Sequence, residues 1–214
     1  MGGSQSRSLQ AVWRAARTLR PARSRGKPLP RLVFFTDPAR TPDPLATIQR
    51  LPRGAAVVYR AFGAPDAART GRRLARAAQR RGVLFLVGAD PALAAALRAD
   101  GAHLPERSAG LAGGVRRARP GWIVTAAAHS APAIVAARRA GADAVFVSPV
   151  FASASASAGR PLGALRFAQL ARSAGLPVYA LGGIDARTAR RLTGSRAAGL
   201  AAVAALADED RSRT

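Results

Sequence analysis

The chain contains no cysteine, a single methionine, two histidines and one lysine, Lys27. Without cysteine there is no disulfide framework, thiolate metal site or sulfur nucleophile. Two histidines exclude any centre that needs three imidazoles. Aromatic residues are scarce at 5%. No uninterrupted apolar stretch reaches about 18 residues, so no membrane-spanning helix is expected. Acidic residues are also few, 11 against 34 basic ones, which leaves a formal charge of +23 on 214 residues. Alanine and arginine are abundant instead. The hydrophobic fraction of 49% is ample for a core and excludes global disorder. These proportions predict one soluble α/β domain. The lack of cysteine fits a reducing, cytoplasmic compartment.

The arginines are spread along the sequence, with no basic stripe interleaved with stacking aromatics. Ordinary solvated positions account for them. Phosphate neutralisation on a nucleic acid or an anionic membrane would use the same charge.

Residues 1–30 differ from the rest. Between Ser4 and Arg20, Leu9, Val12, Trp13 and Ala16 recur at helical spacing, with Arg7, Arg14, Arg17 and Arg20 around the turn. Pro21, Pro28 and Pro30 then break the pattern. An Arg-rich extension that packs on its own domain, or trails as a tail, is expected. Its acid-free composition also fits a membrane-surface helix or a targeting segment. It lacks the apolar h-region of a secretory signal. The expected organisation is an extension over 1–30, one domain over 31–206 and a polar tail over 207–214.

From Arg31 a unit recurs: a short apolar run, a turn, then an Ala/Arg amphipathic stretch. The runs are 32–35, 56–59, 83–87, 101–104, 122–124, 144–147, 177–181 and 200–203. Runs without polar alternation predict strands buried on both faces. Helical spacing falls at 64–81, 91–99, 131–140, 164–174 and 186–192. Eight such units predict a small (β/α)8 TIM barrel with a short last helix. An open dinucleotide-binding sheet is disfavoured, because no Gly-x-Gly-x-x-Gly follows the first run.

In such a barrel, chemistry belongs just after each strand. The runs are followed in turn by Thr36-Asp37, Arg60, Gly88-Ala89-Asp90, and His103 with Glu106. Then come His129-Ser130, Ser148-Pro149 with the loop 151–163, Gly182-Gly183, and Val203-Ala204. Glycines admit a ligand close to the backbone, and amides at a helix start favour anions. Gly182, Gly183, Val203 and Ala204 are therefore the phosphate-binding candidates. His129 is the acid/base candidate, the alternative being a solvent-exposed helix start. His103 is either a ligand contact or a hydrogen-bonded core residue. Arg60, Ser130, Ser153 and Ser155 are the remaining substrate-contact candidates, although the Ala/Ser loop also reads as a plain linker. Asp37, Asp90 and Glu106 are the carboxylates at strand ends, and no lysine stands there. No resident metal or other cofactor is expected.

The order Gly141-Ala142-Asp143, Ser148-Pro149-Val150-Phe151, Pro161-Leu162-Gly163, Leu181-Gly182-Gly183-Ile184 resembles the thiamine phosphate synthase / thiazole tautomerase family. So do Ala99-Asp100-Gly101-Ala102-His103-Leu104 and Thr36-Asp37. The resemblance covers residues 31–206. It implies a small barrel that holds a thiazole phosphate at the loops of its seventh and eighth strands. In the synthase branch that thiazole displaces Mg²⁺-bound pyrophosphate from an aminopyrimidine.

The match is partial. The family's Gln-Leu-Arg-x-Lys falls on Val58-Tyr59-Arg60-Ala61-Phe62, which keeps only the arginine. Its metal-binding aspartates fall on Ala89 and Ser108. Its sixth-loop Phe-Pro-Thr-x-Thr-Lys falls on residues 151–156, which keep two hydroxyls in kind, Ser153 and Ser155, and lose the lysine. A phosphate-binding serine falls on Ala204. The losses gather on the metal and pyrophosphate side. The tautomerase branch uses no metal and places a His-Ser pair where His129-Ser130 stands. The resemblance therefore implies a thiamine-biosynthesis protein that binds a small phosphorylated thiazole, with His129 as acid/base. The alternatives are a residual, Mg²⁺-dependent synthase, with Arg60 and His103 lining its pyrimidine-pyrophosphate site, and a non-catalytic phosphate-binding barrel. Contact of the basic extension with nucleic acid or membrane, and assembly into a homo-oligomer, are further open expectations.

Overall fold

The computed structural model describes residues 7–153 and 159–207. Eight parallel strands close into a barrel: β3 (Leu32–Phe35), β4 (Ala56–Tyr59), β5 (Leu84–Gly88), β6 (Gly101–Leu104), β7 (Ile123–Ala128), β8 (Ala144–Val147), β9 (Val178–Ala180) and β10 (Gly199–Ala202). Each strand pairs with its successor, and β10 closes on β3 through Leu200 opposite Leu32 and Ala202 opposite Phe34. The architecture is a small (β/α)8 barrel. Most strand positions are buried on both faces, so their sequences show no polar alternation.

Alternate residues serve two cores. Leu32, Phe34, Val57, Phe85 and Val87 face the helices. Val33, Phe35, Val58, Leu86, Phe146 and Tyr179 fill the barrel. Filling is nearly complete, for the interior void beside Leu29 and Tyr179 measures about 10 Å³. That is room for about one water, so no ligand binds inside the barrel.

Outside lie α2 (Pro44–Arg50), α3 (Ala67–Arg81), α4 (Pro91–Ala96), α5 (Ala112–Ala118), α6 (Ala131–Arg139), α7 (Gly163–Ser173) and α8 (Ala204–Ala207). Short 3₁₀ segments at Glu106–Leu111 and Ala189–Leu192 complete the ring. Three helices start by one device, a capping oxygen followed by proline in the first turn. Asp43 accepts from Ala46 N at 2.9 Å, Asp90 from Leu93 N at 2.8 Å and Ser130 from Ala133 N at 3.3 Å. The sequence pattern missed α2 and α5, which are short and lack a long apolar stripe. The helical spacing at 186–192 resolves into a single 3₁₀ turn, and the fifth strand runs on from Ile123 to Ala128.

The N-terminal segment packs onto the barrel. It forms α1 (Arg7–Thr18), whose Leu9, Val12, Ala15 and Ala16 are buried. Burying Leu9 and Val12 contributes about 2 kcal/mol each. α1 lies against Ala189–Leu192, α8 and β10, where the one-turn α8 leaves the outer ring short. With its apolar face occupied, α1 has none left for a lipid surface. The two-residue strands β1 (Arg23–Ser24) and β2 (Lys27–Pro28) then form a hairpin across the N-terminal end of the barrel. Asp143, 3% exposed, accepts from Ser24 Oγ, Arg25 Nε and Nη2, and Val124 N, at 2.6 to 2.9 Å. Among the described residues no helix is long and apolar enough to cross a membrane.

Candidate functional site

The loops after the barrel strands enclose a cleft of about 1020 Å³ at the C-terminal face. This is the size and place at which such barrels hold a small ligand. Its lining brings together Arg60, His103, His129, Ser153, Gly182, Gly183, Val203 and Ala204. Ser130 is not among the lining residues, because its hydroxyl caps α6. Ser155 lies outside the described residues.

One end of the cleft is made of main chain. Gly182 and Gly183 both have positive φ, +89° and +65°. A Cβ on Gly183 would collide with the Ala152 carbonyl and Phe151, and one on Gly182 would press on Pro149. Only glycine fits both the conformation and the space. The Gly183 carbonyl accepts from Thr188 Oγ1 at 2.7 Å, which turns the peptide in place. Asp185 supports the same turn. Burial works against its charge, but hydrogen bonds from Thr188 and Arg187 overcome this and hold its carboxyl below the usual range. The amides of Gly182, Gly183, Val203 and Ala204 carry no hydrogen bond among the described residues. Four N–H groups without a partner among the described residues, on residues that line the cleft, suit an anion.

His129 stands midway in the order of strands. Its main-chain N–H donates to Glu106 Oε2 at 2.7 Å, and its Nδ1 lies 2.6 Å from the Ser148 carbonyl oxygen. A carbonyl only accepts, so Nδ1 carries the proton of the neutral ring and Nε2 keeps the lone pair. No group among the described residues bonds Nε2. His103 differs in every respect. It is 8% exposed, sits edge-on to Phe35 and Phe146 at 5.1 and 5.2 Å, and bonds Thr125 Oγ1 at 3.0 Å. Burial, assisted by the charge of Arg60, pushes its pKa down to about 3. It is a neutral wall of the cleft floor.

At the other end Arg60 lies between two rings, its guanidinium carbon 5.7 Å from Phe35 and 5.0 Å from Phe62. Its Nε donates to the Thr36 carbonyl at 2.7 Å and its Nη2 to Asp37 Oδ2 at 3.1 Å. Arg40 reaches the same Oδ2 at 2.7 Å. The hydrogen bond from Arg40, then the charges of Arg40 and Arg60, hold the Asp37 carboxyl below its ordinary range despite burial. Two cations thus share one carboxylate. The sequence reading missed Arg40, Arg107 and Phe62 as lining residues, since nothing in their spacing sets them apart from other surface positions.

The residues do not fit a divalent cation. Asp37 is saturated by the two arginines, Asp90 caps α4, and Glu106 holds the main chain of His129. The family's two metal positions are Ala89 and Ser108. No three histidine or acidic side chains cluster among the described residues. Hard cations need several such oxygens on one point.

The thiamine monophosphate synthase family profile matches residues 32–206. Thiamine-phosphate synthase from Chlorobium luteolum is 30% identical over 182 residues, 83% of this chain and 85% of that protein. The Methanoculleus marisnigri enzyme of the same description is 33% identical over 129 residues, 60% of this chain and 61% of its own. Among the first relatives the matched part is smaller, 54% of a protein from Aquifex aeolicus and 28% of a bifunctional thiamine biosynthesis protein from Symbiobacterium thermophilum. The structure of thiamine phosphate pyrophosphorylase from Pyrococcus furiosus shares the fold, with a TM-score of 0.72 at 24% identity over 84% of this chain and 89% of that one. Barrel, strand-end cleft and sequence likeness therefore agree, and the chain belongs to the thiamine monophosphate synthase family.

Proposed function

We propose that this chain works in thiamine biosynthesis by binding a thiazole phosphate in the cleft and moving a proton on its ring, without a metal. The phosphate goes to the amides of Gly182, Gly183, Val203 and Ala204, where the charge is met by four preorganised N–H dipoles. The ring then lies over the cleft floor near His129. His129 Nε2, with its lone pair free, takes a proton from one ring position and returns it at another. Ser153, Ser155 and Arg60 supply polar contacts, and His103 stays neutral. The observation that carries this reading is the pairing, in one cleft, of the amide corner with a histidine whose Nε2 is unengaged.

Titration calorimetry with thiazole phosphate, with and without chelator, tests the first half. The expected affinity is unaffected by chelation, and no binding at millimolar ligand removes the proposal. Hydrogen–deuterium exchange on the bound thiazole, followed by NMR, tests the second. His129→Ala is expected to keep binding and to lose exchange by about two orders of magnitude or more. Unchanged exchange excludes His129 as the acid/base, and binding without exchange in the parent chain leaves a ligand-binding barrel.

A second reading, residual synthase activity, draws on the uncompensated positive charge that Arg40 and Arg60 leave around Asp37. Mg²⁺-dependent product from thiazole phosphate and a pyrimidine diphosphate decides in its favour.

A further inference from the structure

The arginines that look scattered in the sequence are not scattered on α3. Arg69, Arg72, Arg73, Arg76 and Arg80 are exposed on this helix, while Gly71, Leu74, Ala77 and Ala78 are buried on its other side. Their spacing places all five on one face, a stripe about 16 Å long at 1.5 Å per residue. No acidic residue lies within the helix. The nearest, Asp66, is occupied by Thr70 Oγ1 at 2.6 Å and only grazes Arg69 at 4.0 Å. The pairs Arg69/Arg73, Arg72/Arg76 and Arg76/Arg80 are like charges four residues apart, each of which opposes the helix. The face therefore carries a local electrostatic cost, which an anionic partner would relieve.

The cleft does not account for the stripe. Only the first turn of α3, at Ala67 and Ala68, reaches the rim, and the arginines continue from there along the outer wall of the barrel. A lipid surface is a poor match, because an interfacial helix must bury an apolar face and that of α3 is already spent on the barrel. A single strand is also a poor match, because the face offers no aromatic side chain for a base to stack on. A row of guanidiniums without aromatics suits closely spaced phosphates, which each fork can engage through two hydrogen bonds. We infer that the outer face of α3 docks on the phosphate backbone of duplex nucleic acid without reading its sequence.

The test compares the full chain, Arg72→Gln/Arg73→Gln/Arg76→Gln, and a control triple, Arg117→Gln/Arg166→Gln/Arg172→Gln. The control removes the same charge from exposed positions elsewhere. Glutamine keeps helix propensity, and thermal melting verifies the fold. The probe is a mixed-sequence DNA duplex, titrated by fluorescence anisotropy over a salt series. The stripe variant is expected to lose at least about tenfold affinity near 50 mM salt, with a log–log salt slope shallower by about 0.9 for each phosphate no longer neutralised. The control is expected to keep the parental slope to within about one phosphate. Equal losses in both triples show a response to net charge alone and overturn the inference. So does the absence of duplex binding at low salt, and so does binding to phosphatidylserine vesicles but not to duplex.

Discussion

Glu106 Oε2 accepts the main-chain N–H of His129 at 2.7 Å, joining the 3₁₀ segment after β6 to the loop after β7. By position in the sequence Glu106 was one of three carboxylates at strand ends. In the structure it holds the loop that presents the histidine. Glu106→Ala should therefore lower thiazole proton exchange on the order of fivefold with little change in thiazole phosphate affinity. Glu106→Gln, which keeps an accepting oxygen, should recover most of the rate. A metal role predicts the opposite, with both substitutions equally damaging and the loss dependent on Mg²⁺.

His103 makes stability depend on pH. Its folded pKa of about 3 lies below the ordinary value of 6.5, so between those values the unfolded chain binds the extra proton. The stabilisation is whole above about pH 6.5 and falls as pH drops toward 3. Acidifying to pH 5 should cost about 2 kcal/mol from this residue alone. Denaturant titrations at pH 7 and pH 5 should show a smaller difference for His103→Gln than for the parent.

The hairpin at the base of the barrel is anchored on Asp143. Removing Arg25 leaves a carboxylate of 2% side-chain exposure without its cation. The guanidinium is itself 40% exposed, which moderates the loss. Arg25→Ala should lower unfolding stability by about 1–2 kcal/mol, read as a shifted urea midpoint with an unchanged slope. An unshifted midpoint would show that solvent replaces the guanidinium at no cost.

Gly183→Ala should both destabilise and disable the anion corner. The added methyl meets the Ala152 carbonyl while φ stays at +65°. Thiazole phosphate affinity should fall at least about tenfold, since small displacements of donor groups are costly to an anion site. Affinity at the parental level in a folded Gly183→Ala protein places the phosphate elsewhere.

Much of the barrel was legible because its strands are apolar on both faces, as at Leu32–Phe35 and Ala144–Val147, a pattern that few other folds require. Gly182-Gly183 and His129 were legible as cleft-lining residues because they follow strands, and the strand ends meet at one face of the barrel. Other features depend on contacts that no local spacing encodes. Ser130 reads as a substrate contact beside His129, yet its oxygen is needed by the Ala133 amide. Arg40 and Arg60 converge on Asp37 only after β3 and β4 pair. The arginines of α3 share a face by helical spacing alone, but that this face is the outer one is set by the burial of Gly71, Leu74, Ala77 and Ala78 against the barrel.

The seam between β3 and β10 has a consequence for assembly. Val203 and Ala204 join the cleft lining only when the last strand docks beside the first, the most sequence-distant strand pairing in the sheet. Closing so long a span delays that step relative to neighbouring strand pairs. A chain interrupted before Gly199 would leave two bare strand edges, prone to pairing with other copies, and a cleft without Val203 and Ala204 in its wall. Closure of the ring and completion of the cleft wall are thus one event.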